Sequence, residues 1–184
     1  DMQDIEFTIQ ENKLWMLQTR RGKRTGIAAI KIATDMVKEK LITKEVAVSR
    51  VRPVQIYESL LKNIVAEDLN NNTPVSSGLP AGPGASCGSA VFTAEKAEAL
   101  GKKGKKVILI REETSPEDIH GMHYSEGILT SRGGLTSHAA LVARGWGKSC
   151  VVGCQDLTID KSHKFAKIAD KKIKEGDQIT LNGS

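Results

Sequence analysis

Aromatic residues are scarce in this sequence of 184 residues, in which Phe, Trp and Tyr together make up 4%. A core must therefore be filled mainly by Ile, Val, Leu and Ala, and a large aromatic-lined nucleotide pocket is not expected. The hydrophobic share of 39% and the charged share of 27% are those of a globular domain. This balance argues against a disordered chain and against a membrane protein.

Cysteine is also sparse, with three residues, Cys87, Cys150 and Cys154. An odd number of cysteines without a signal peptide favours a reducing compartment, so we expect a cytoplasmic protein. The sequence starts at Asp1 and ends without an evident terminator. We therefore expect it to be part of a longer polypeptide. Targeting of that polypeptide to an organelle stays an alternative to a cytoplasmic location.

Positive charge is in slight excess, with 27 Lys and Arg residues against 22 Asp and Glu residues, a net charge of +5. The lysines on both sides of Gly104 are not interleaved with aromatic residues, as they would be in a nucleic-acid-binding patch. We therefore expect neither nucleic acid nor a membrane among the partners.

The first 74 residues are predicted to form a β-hairpin followed by a helical linker. Residues 1–22 alternate apolar and polar positions on either side of a turn, as a hairpin does. Residues 23–74 repeat apolar positions at helical spacing instead, with Thr25 as the first N-cap. The first helix is predicted to bury one apolar stripe, formed by Ile27, Ile30, Ala33, Val37 and Leu41.

Residues 75–184 are predicted to form a separate α/β domain. Turn-forming residues before this point mark a boundary, and short apolar runs then alternate with helical stretches. Ser115, Pro116 and Asp118 have the spacing of a capping box with proline at the first helical position. The predicted strands are 90–92, 107–110, 127–130, 150–152 and 178–181, and the predicted helices are 94–100, 116–123 and 137–144.

The segment Thr130–Gly145, TSRGGLTSHAALVARG, carries the clearest chemical signal. It is predicted to run from a strand through a glycine turn into a helix. Two adjacent glycines, Gly133 and Gly134, allow a sharp turn close to a ligand. Either Thr136 or Ser137 can cap the helix, which leaves the next residue, His138, in the first helical turn.

A histidine at a helix start has the right surroundings for phosphoryl capture. The helix N-terminus carries about half an elementary positive charge and unpaired backbone N–H groups, which together bind phosphate. The same field disfavours the protonated ring, and neutral imidazole is the nucleophilic form. On spacing alone, a capped helix whose histidine makes only a local hydrogen bond remains an alternative for His138.

The Gly-Gly pair, Thr-Ser-His, the following Ala and the Arg-Gly helix end resemble the phosphohistidine segment of the phosphoenolpyruvate-utilising enzymes. The resemblance extends over nearly the whole chain. It is closer to the family's dikinases than to its phosphoenolpyruvate synthases, which remain the alternative, together with a binding module without covalent chemistry. The further segments that carry it are 78–84, 114–122, 147–154 and 173–177.

The resemblance implies that residues 75–184 form a swivelling β/β/α phosphohistidine domain within an α/β fold. It implies that ATP phosphorylates His138 through a pyrophosphorylated intermediate and that inorganic phosphate accepts the terminal phosphoryl group. The remaining phosphoryl group then passes from His138 to pyruvate, so that the products are AMP, diphosphate and phosphoenolpyruvate. The residues implied beside the phosphoryl group are Arg132 as a compensating cation, Thr136 as a donor, and Gly133, Gly134 and Ser137.

The resemblance also implies that residues 1–22 are the C-terminal edge of an ATP-grasp domain. Within them, Asp4, Glu6, Gln18 and Arg20 match positions that hold Mg²⁺ and the nucleotide phosphates, with Glu6 as the implied metal ligand. Without the rest of that domain, we expect these residues to behave as solvated charges on an exposed hairpin. We expect Mg²⁺ and a homodimer only in the longer enzyme, and no turnover or bound metal in this chain alone.

Overall fold

A computed structural model describes residues 2–22, 24–160, 162 and 164–184. The chain divides into two compact units, one up to Leu60 and one from Leu61 onward. The α/β class predicted from the sequence is confirmed. The limits of the three predicted domains, the swivelling of the last domain and the ATP-grasp origin of the hairpin stay predictions.

The first unit begins with the predicted hairpin. Strands β1 (Gln3–Gln10) and β2 (Lys13–Arg21) pair in antiparallel register, and every residue of both strands is exposed. Glu11 and Asn12 form the turn with positive φ angles of 52° and 56°. Two consecutive left-handed residues match the right-handed twist of a hairpin, and Asn adopts this conformation readily.

Three helices follow in the first unit, α1 (Gly26–Lys38), α2 (Lys44–Arg50) and α3 (Pro53–Leu60). The predicted cap of α1 is confirmed, because the Thr25 hydroxyl oxygen accepts a hydrogen bond from the Ala28 backbone N–H at 3.3 Å. This hydroxyl satisfies one of the four N–H groups that lack a partner inside the helix.

The apolar stripe predicted for α1 is present only in its middle. Ala33 is buried and Ile30 and Val37 are half-buried, whereas Ile27 and Leu41 at its ends are 57% and 64% exposed. The most deeply buried positions of the helix are all small residues. The reason is close backbone contact between α1 and α3, because a Cβ atom on Gly26 would lie 2.1 Å from the Gln55 carbonyl oxygen. Only small residues allow two helices to approach this closely. The buried residues of α1 are Gly26, Ala29 and Ala33.

The second unit contains a short helix, α4 (Ala66–Asn71), and then a six-stranded mixed sheet. The strand order is β11-β4-β5-β6-β7-β3, in which β4 to β7 are parallel and both edge strands are antiparallel. The strands are β3 (Leu79–Gly82), β4 (Ala85–Val91), β5 (Val107–Arg111), β6 (Gly127–Thr130), β7 (Ser149–Val152) and β11 (Gln178–Asn182).

Each face of this sheet is covered by a different layer. On one face pack the helices α5 (Ala94–Gly101), α6 (Ile119–Tyr124) and α7 (His138–Trp146), which bury small side chains such as Ala97 and Ala140. On the other lies a three-stranded antiparallel sheet of β8 (Leu157–Ile159), β9 (Phe165–Ile168) and β10 (Lys171–Lys174). In keeping with the scarcity of aromatic residues, the core is mainly aliphatic on both faces, and Phe92 is a buried aromatic side chain in the core on the second face.

All the predicted strands and helices of residues 75–184 are present, with ends that differ by a few residues. The sequence pattern did not indicate α4, β3 or the three strands β8 to β10. These strands are only three or four residues long, and Pro80 lies within β3. Short strands of this kind form because neighbouring strands pair with them, not because their own pattern demands it.

Candidate functional site

Two adjacent parallel strands bring the site together. The last residues of β5 and β6, Arg111 and Thr130, are paired in the sheet. The backbone segments that follow stay side by side, because the Ser131 N–H donates to the Arg111 carbonyl at 3.2 Å and the Arg132 N–H donates to the Glu112 carbonyl at 2.8 Å. The loop after β5 and the glycine turn after β6 therefore lie at one edge of the sheet.

The glycine turn has a geometry that requires glycine at its first position. Gly133 has a φ angle of 100°, and a Cβ atom there would lie 2.9 Å from the Ser137 Cβ. A larger residue would be strained both by its backbone conformation and by this contact. The Gly134 carbonyl accepts a hydrogen bond from the Ser137 N–H at 3.0 Å, which closes the turn immediately before α7.

Ser137 is the N-cap of α7, and His138 is the first residue of the helix. The Ser137 hydroxyl oxygen accepts a hydrogen bond from the Ala140 N–H at 3.4 Å. Of the two cap residues that the sequence allowed, the structure thus uses Ser137, and Thr136 lies before it as an exposed residue. The predicted position of His138 in the first turn of a capped helix is present in the structure.

The His138 ring is oriented by a residue that the sequence reasoning missed. Nδ1 of His138 lies 3.1 Å from Oγ1 of Thr114, which comes from the loop after β5. The ring is half-buried and Thr114 is buried. Within the described part of the chain, Nε2 of His138 forms no hydrogen bond, so it is the ring nitrogen left for a ligand.

The predicted capping box holds Thr114 in place. The Asp118 carboxylate accepts a hydrogen bond from the Ser115 N–H at 2.9 Å, as the spacing predicted. The other oxygen of Asp118 lies 3.3 Å from a terminal nitrogen of Arg111. Asp118 is 5% exposed, and a buried carboxylate with two such partners is firmly positioned. The signal that could have indicated Thr114 is its place directly before this capping box.

Arg132 is exposed and, among the residues that the structure describes, its side chain has no hydrogen bond or ion pair. Its backbone N–H donates to the Glu112 carbonyl, whereas its guanidinium is not held by any of the described residues. Arg132 lines an open cleft of about 280 Å³ together with Ile159, the last residue of β5 and two residues of the loop that follows it. Those three are Arg111, Glu112 and Glu113.

The four residues predicted to hold nucleotide and metal lie together on the hairpin of the first unit. Asp4 is paired with Arg20 and Glu6 with Gln18, so all four share one face. Nε of Arg20 donates to Asp4 at 2.8 Å, and another Arg20 nitrogen lies 3.7 Å from Glu6. All four are exposed.

The side-chain oxygens of Asp4, Glu6 and Gln18 can supply only some of the six ligands of an octahedral Mg²⁺. Waters and substrate phosphates usually supply the others. Across residues 2–22, 24–160, 162 and 164–184, no group of three or more His, Cys, Asp and Glu is placed to hold a metal. The carboxylates fit a metal only if further ligands come from outside this chain.

The part of the chain that contains this site matches a known protein family. Residues 103–184, which include the whole glycine turn and His138, match the family described as PEP-utilising enzyme, mobile domain. The matched residues include Thr114, the capping box and α7.

Several known proteins match the chain over its whole length. Over 184 residues the chain is 54% identical to pyruvate, phosphate dikinase 1, chloroplastic, of Arabidopsis thaliana and 54% identical to pyruvate, phosphate dikinase, chloroplastic, of Flaveria pringlei. It is 52% identical to pyruvate, phosphate dikinase 2 of Zea mays. Each match covers 100% of the chain but only 19% to 21% of the relative. The chain spans about a fifth of the length of these relatives.

The comparisons bear on location only in part. None of the helices in the described residues is long and apolar enough to cross a membrane. The Arabidopsis and Flaveria relatives are named as chloroplastic proteins, so they lend no support to a plain cytoplasmic location. The predicted cytoplasmic location therefore stays a prediction.

Proposed function

We propose that residues 103–184 belong to a mobile domain that carries a phosphoryl group on His138 during the pyruvate, phosphate dikinase reaction, in which ATP, phosphate and pyruvate give AMP, diphosphate and phosphoenolpyruvate. The observation that carries the proposal is the His138 ring itself. It stands at the start of α7, with Nδ1 beside Thr114 and Nε2 without a partner among the described residues. Identity of 50% to 54% over the whole chain to pyruvate, phosphate dikinases supports the reaction.

The proposed chemistry uses Nε2 as the nucleophile. Nε2 needs its lone pair for attack, so the ring proton resides on Nδ1, where the Thr114 hydroxyl oxygen can accept it. In the direction from phosphoenolpyruvate, an Nε2–P bond forms while the P–O bond to the enolate oxygen breaks, and the enolate leaves and is protonated to pyruvate. Thr114 keeps the ring in the orientation that directs Nε2 toward the donor.

The surroundings of His138 suit the group that it would receive. The first turn of α7 contributes the positive end of the helix dipole and N–H groups without helical partners. The uncommitted guanidinium of Arg132 can turn toward the phosphoryl oxygens and bind them in a bidentate manner. Gly133, Gly134, Thr136 and Ser137 would present backbone or hydroxyl groups beside them.

The carrier role requires movement, because in-line phosphoryl transfer needs contact between nucleophile and donor. ATP would bind at a site of which this chain holds only the hairpin, and pyruvate would bind at a second site supplied by other parts of the enzyme. We propose that the domain swivels between them, with the helices of residues 25–65 as the hinge. The isolated chain would then turn over neither ATP nor pyruvate, and the complete enzyme would be a homodimer.

In the complete enzyme, the hairpin residues would belong to the nucleotide site. Glu6 would supply carboxylate oxygens to Mg²⁺, and Asp4, Gln18 and Arg20 would complete the part of the nucleotide site that the hairpin holds. Bound Mg²⁺ would neutralise phosphate charge there. The other metal ligands would have to come from outside these residues.

The experiment that tests the proposal is labelling of the full-length protein with phosphoenolpyruvate that carries a radioactive phosphoryl group. We expect one acid-labile, base-stable label on the peptide that contains His138. His138→Ala should remove the label, whereas the matched control His120→Ala, an exposed histidine on α6, should retain it. An unlabelled wild-type protein, or a label that persists in His138→Ala, would contradict the carrier role.

A second measurement separates the dikinase from the phosphoenolpyruvate synthase that the sequence left open. Only the dikinase uses inorganic phosphate as a cosubstrate. We therefore expect formation of phosphoenolpyruvate from ATP and pyruvate by the full-length enzyme to depend on added phosphate. Turnover that is independent of phosphate would instead favour the synthase.

A further inference from the structure

The glycine turn before α7 rests on a second glycine, in the loop after β7. Gly153 has a φ angle of 65°, and a Cβ atom at this position would lie 2.9 Å from the Gly133 carbonyl oxygen. That distance is too short for any side chain, so Gly133 keeps its position only while residue 153 is glycine. The two glycines are 20 residues apart in the sequence, and no local pattern links them.

Thr130, the last residue of β6, forms hydrogen bonds with both of these loops. Its side chain is fully buried, and its hydroxyl donates a hydrogen bond to the Arg132 carbonyl at 2.6 Å. Its own carbonyl accepts a hydrogen bond from the Cys154 N–H at 3.0 Å. One buried residue thus fixes both the start of the glycine turn and the loop that carries Gly153. Loss of the Thr130 hydroxyl would leave the Arg132 carbonyl without this donor.

We infer that Gly153 and Thr130 are positioning residues for His138, an inference that rests on the proposed function. They hold Gly133 at its φ angle of 100°, and Gly133 in turn contacts Ser137, the cap of the helix that begins with His138. Displacing the turn would shift the ring relative to Thr114 on the neighbouring loop. Neither residue needs to touch the phosphoryl group for this effect.

The first test is Gly153→Ala in the full-length protein, with the rate of phosphorylation by phosphoenolpyruvate followed in a single turnover. We expect the maximum rate to fall by at least about tenfold, because misplacement of a reacting group by about 1 Å costs up to about a hundredfold. The phosphoenolpyruvate concentration that gives half the maximum rate should not change, since Gly153 lies in the carrier and not in the donor site.

Gly104→Ala is the matched control. Gly104 has a similar φ angle of 75°, but a Cβ atom there would meet nothing within 4 Å. The control therefore introduces the same backbone strain without a contact on the turn. We expect its maximum rate to stay within twofold of the wild type. An equal loss of rate in both variants would overturn the role of the Gly153 contact.

Thr130 provides a second arm in case Gly153→Ala fails to fold. Thr130→Val keeps the shape of the side chain but removes the hydroxyl that binds the Arg132 carbonyl, whereas Thr130→Ser keeps the hydroxyl. We expect Thr130→Val to lower the maximum rate at least about tenfold and Thr130→Ser to restore it to within about threefold of the wild type. Equal rates in the two variants would contradict the inference.

Hydrogen exchange measured by mass spectrometry separates this inference from the proposed function, because it needs no phosphorylation. Gly153→Ala and Thr130→Val should speed exchange at residues 131–138 severalfold and leave the peptide of β4 unchanged. If the wild type takes no label but these exchange rates rise as expected, positioning stands and the carrier role fails. If exchange and rate both match the wild type in the two variants, the inference fails.

Discussion

The Thr114 hydroxyl oxygen lies 3.1 Å from Nδ1 of His138, although 24 residues separate the two in sequence. The parallel pairing of β5 with β6 makes this contact possible, since each residue follows one of these strands. The contact gives the imidazole a defined orientation and leaves Nε2 as the nitrogen to react.

Removing the Thr114 hydroxyl should impair phosphorylation of His138 without unfolding the domain. Thr114→Val preserves the buried shape, whereas Thr114→Ser preserves the hydroxyl. A hydrogen bond to a group that becomes charged is worth about 1.5–3 kcal/mol, so Thr114→Val should slow single-turnover phosphorylation by about tenfold or more. Thr114→Ser should remain within about threefold of the wild type. A Thr114→Val rate equal to that of the wild type would show that the ring is oriented by other means.

The cap of α7 should matter for both stability and activity. Ser137→Ala is expected to lower the free energy of unfolding by about 1 kcal/mol, the usual cost of losing an N-cap, as measured by urea titration of the 184-residue chain. Thr93→Ala is the matched control, because the Thr93 hydroxyl caps α5 in the same way by accepting from the Lys96 N–H at 3.3 Å.

Both cap variants should lose similar stability, but only Ser137→Ala should slow phosphorylation of His138 in the full-length protein. Equal slowing by Thr93→Ala would show that the loss follows from general destabilisation and not from the start of α7.

Stability should depend on pH through Glu126. The hydrogen bond that Lys62 donates at 3.0 Å lowers the pKa of Glu126 below its ordinary value of 4.5. A carboxylate with a lowered folded-state pKa stabilises the fold above its unfolded pKa, and this contribution is lost as pH falls through the folded value. The two side chains are 72% and 36% exposed, so the contribution at pH 7 should be only about 0.5 kcal/mol.

The corresponding measurement compares Lys62→Met with Lys103→Met, a lysine without an ion pair in the described part of the chain. Lys62→Met should reduce the free energy of unfolding at pH 7 by about 0.5 kcal/mol, and the difference from Lys103→Met should disappear as pH falls from 4.5 through the lowered folded-state pKa of Glu126. A difference that persists unchanged in acid would exclude the ion pair as its cause.

The three cysteines should differ sharply in reactivity. Cys87 is exposed, whereas Cys150 and Cys154 are buried, and burial raises the pKa of Cys150 to about 12. The thiolate is the reactive form, so iodoacetamide at pH 8 should modify Cys87 but not Cys150 in the folded chain. Peptide mapping by mass spectrometry checks this prediction. Modification of Cys150 as fast as Cys87 would mean that β7 is open to solvent.

Local features of the site could be predicted from the sequence. The glycine turn, the cap before His138 and the capping box that starts at Ser115 each depend on residues only a few positions apart. Their side chains and backbone groups meet whatever the rest of the fold does, so spacing and residue type were sufficient.

The residues that position the glycine turn and His138 could not be predicted from sequence spacing. Thr114, Thr130 and Gly153 act through contacts that exist only after β5, β6 and β7 have paired side by side. The departure of α1 from its predicted buried stripe has a similar cause, because tertiary contact at Gly26 places Gly26 and Ala29 in the buried face. Periodicity shows which residues can share a face, but not which face finds a partner.

The most direct test of the account is to identify which nitrogen of His138 carries the phosphoryl group. The full-length protein would be phosphorylated by phosphoenolpyruvate with histidine labelled by ¹⁵N in the ring, digested under alkaline conditions, and the His138 peptide compared with the two phosphohistidine isomers by NMR. The account predicts phosphorus bonded to Nε2, the nitrogen that Thr114 leaves unpaired. Phosphorus on Nδ1, or on any residue other than His138, would contradict it.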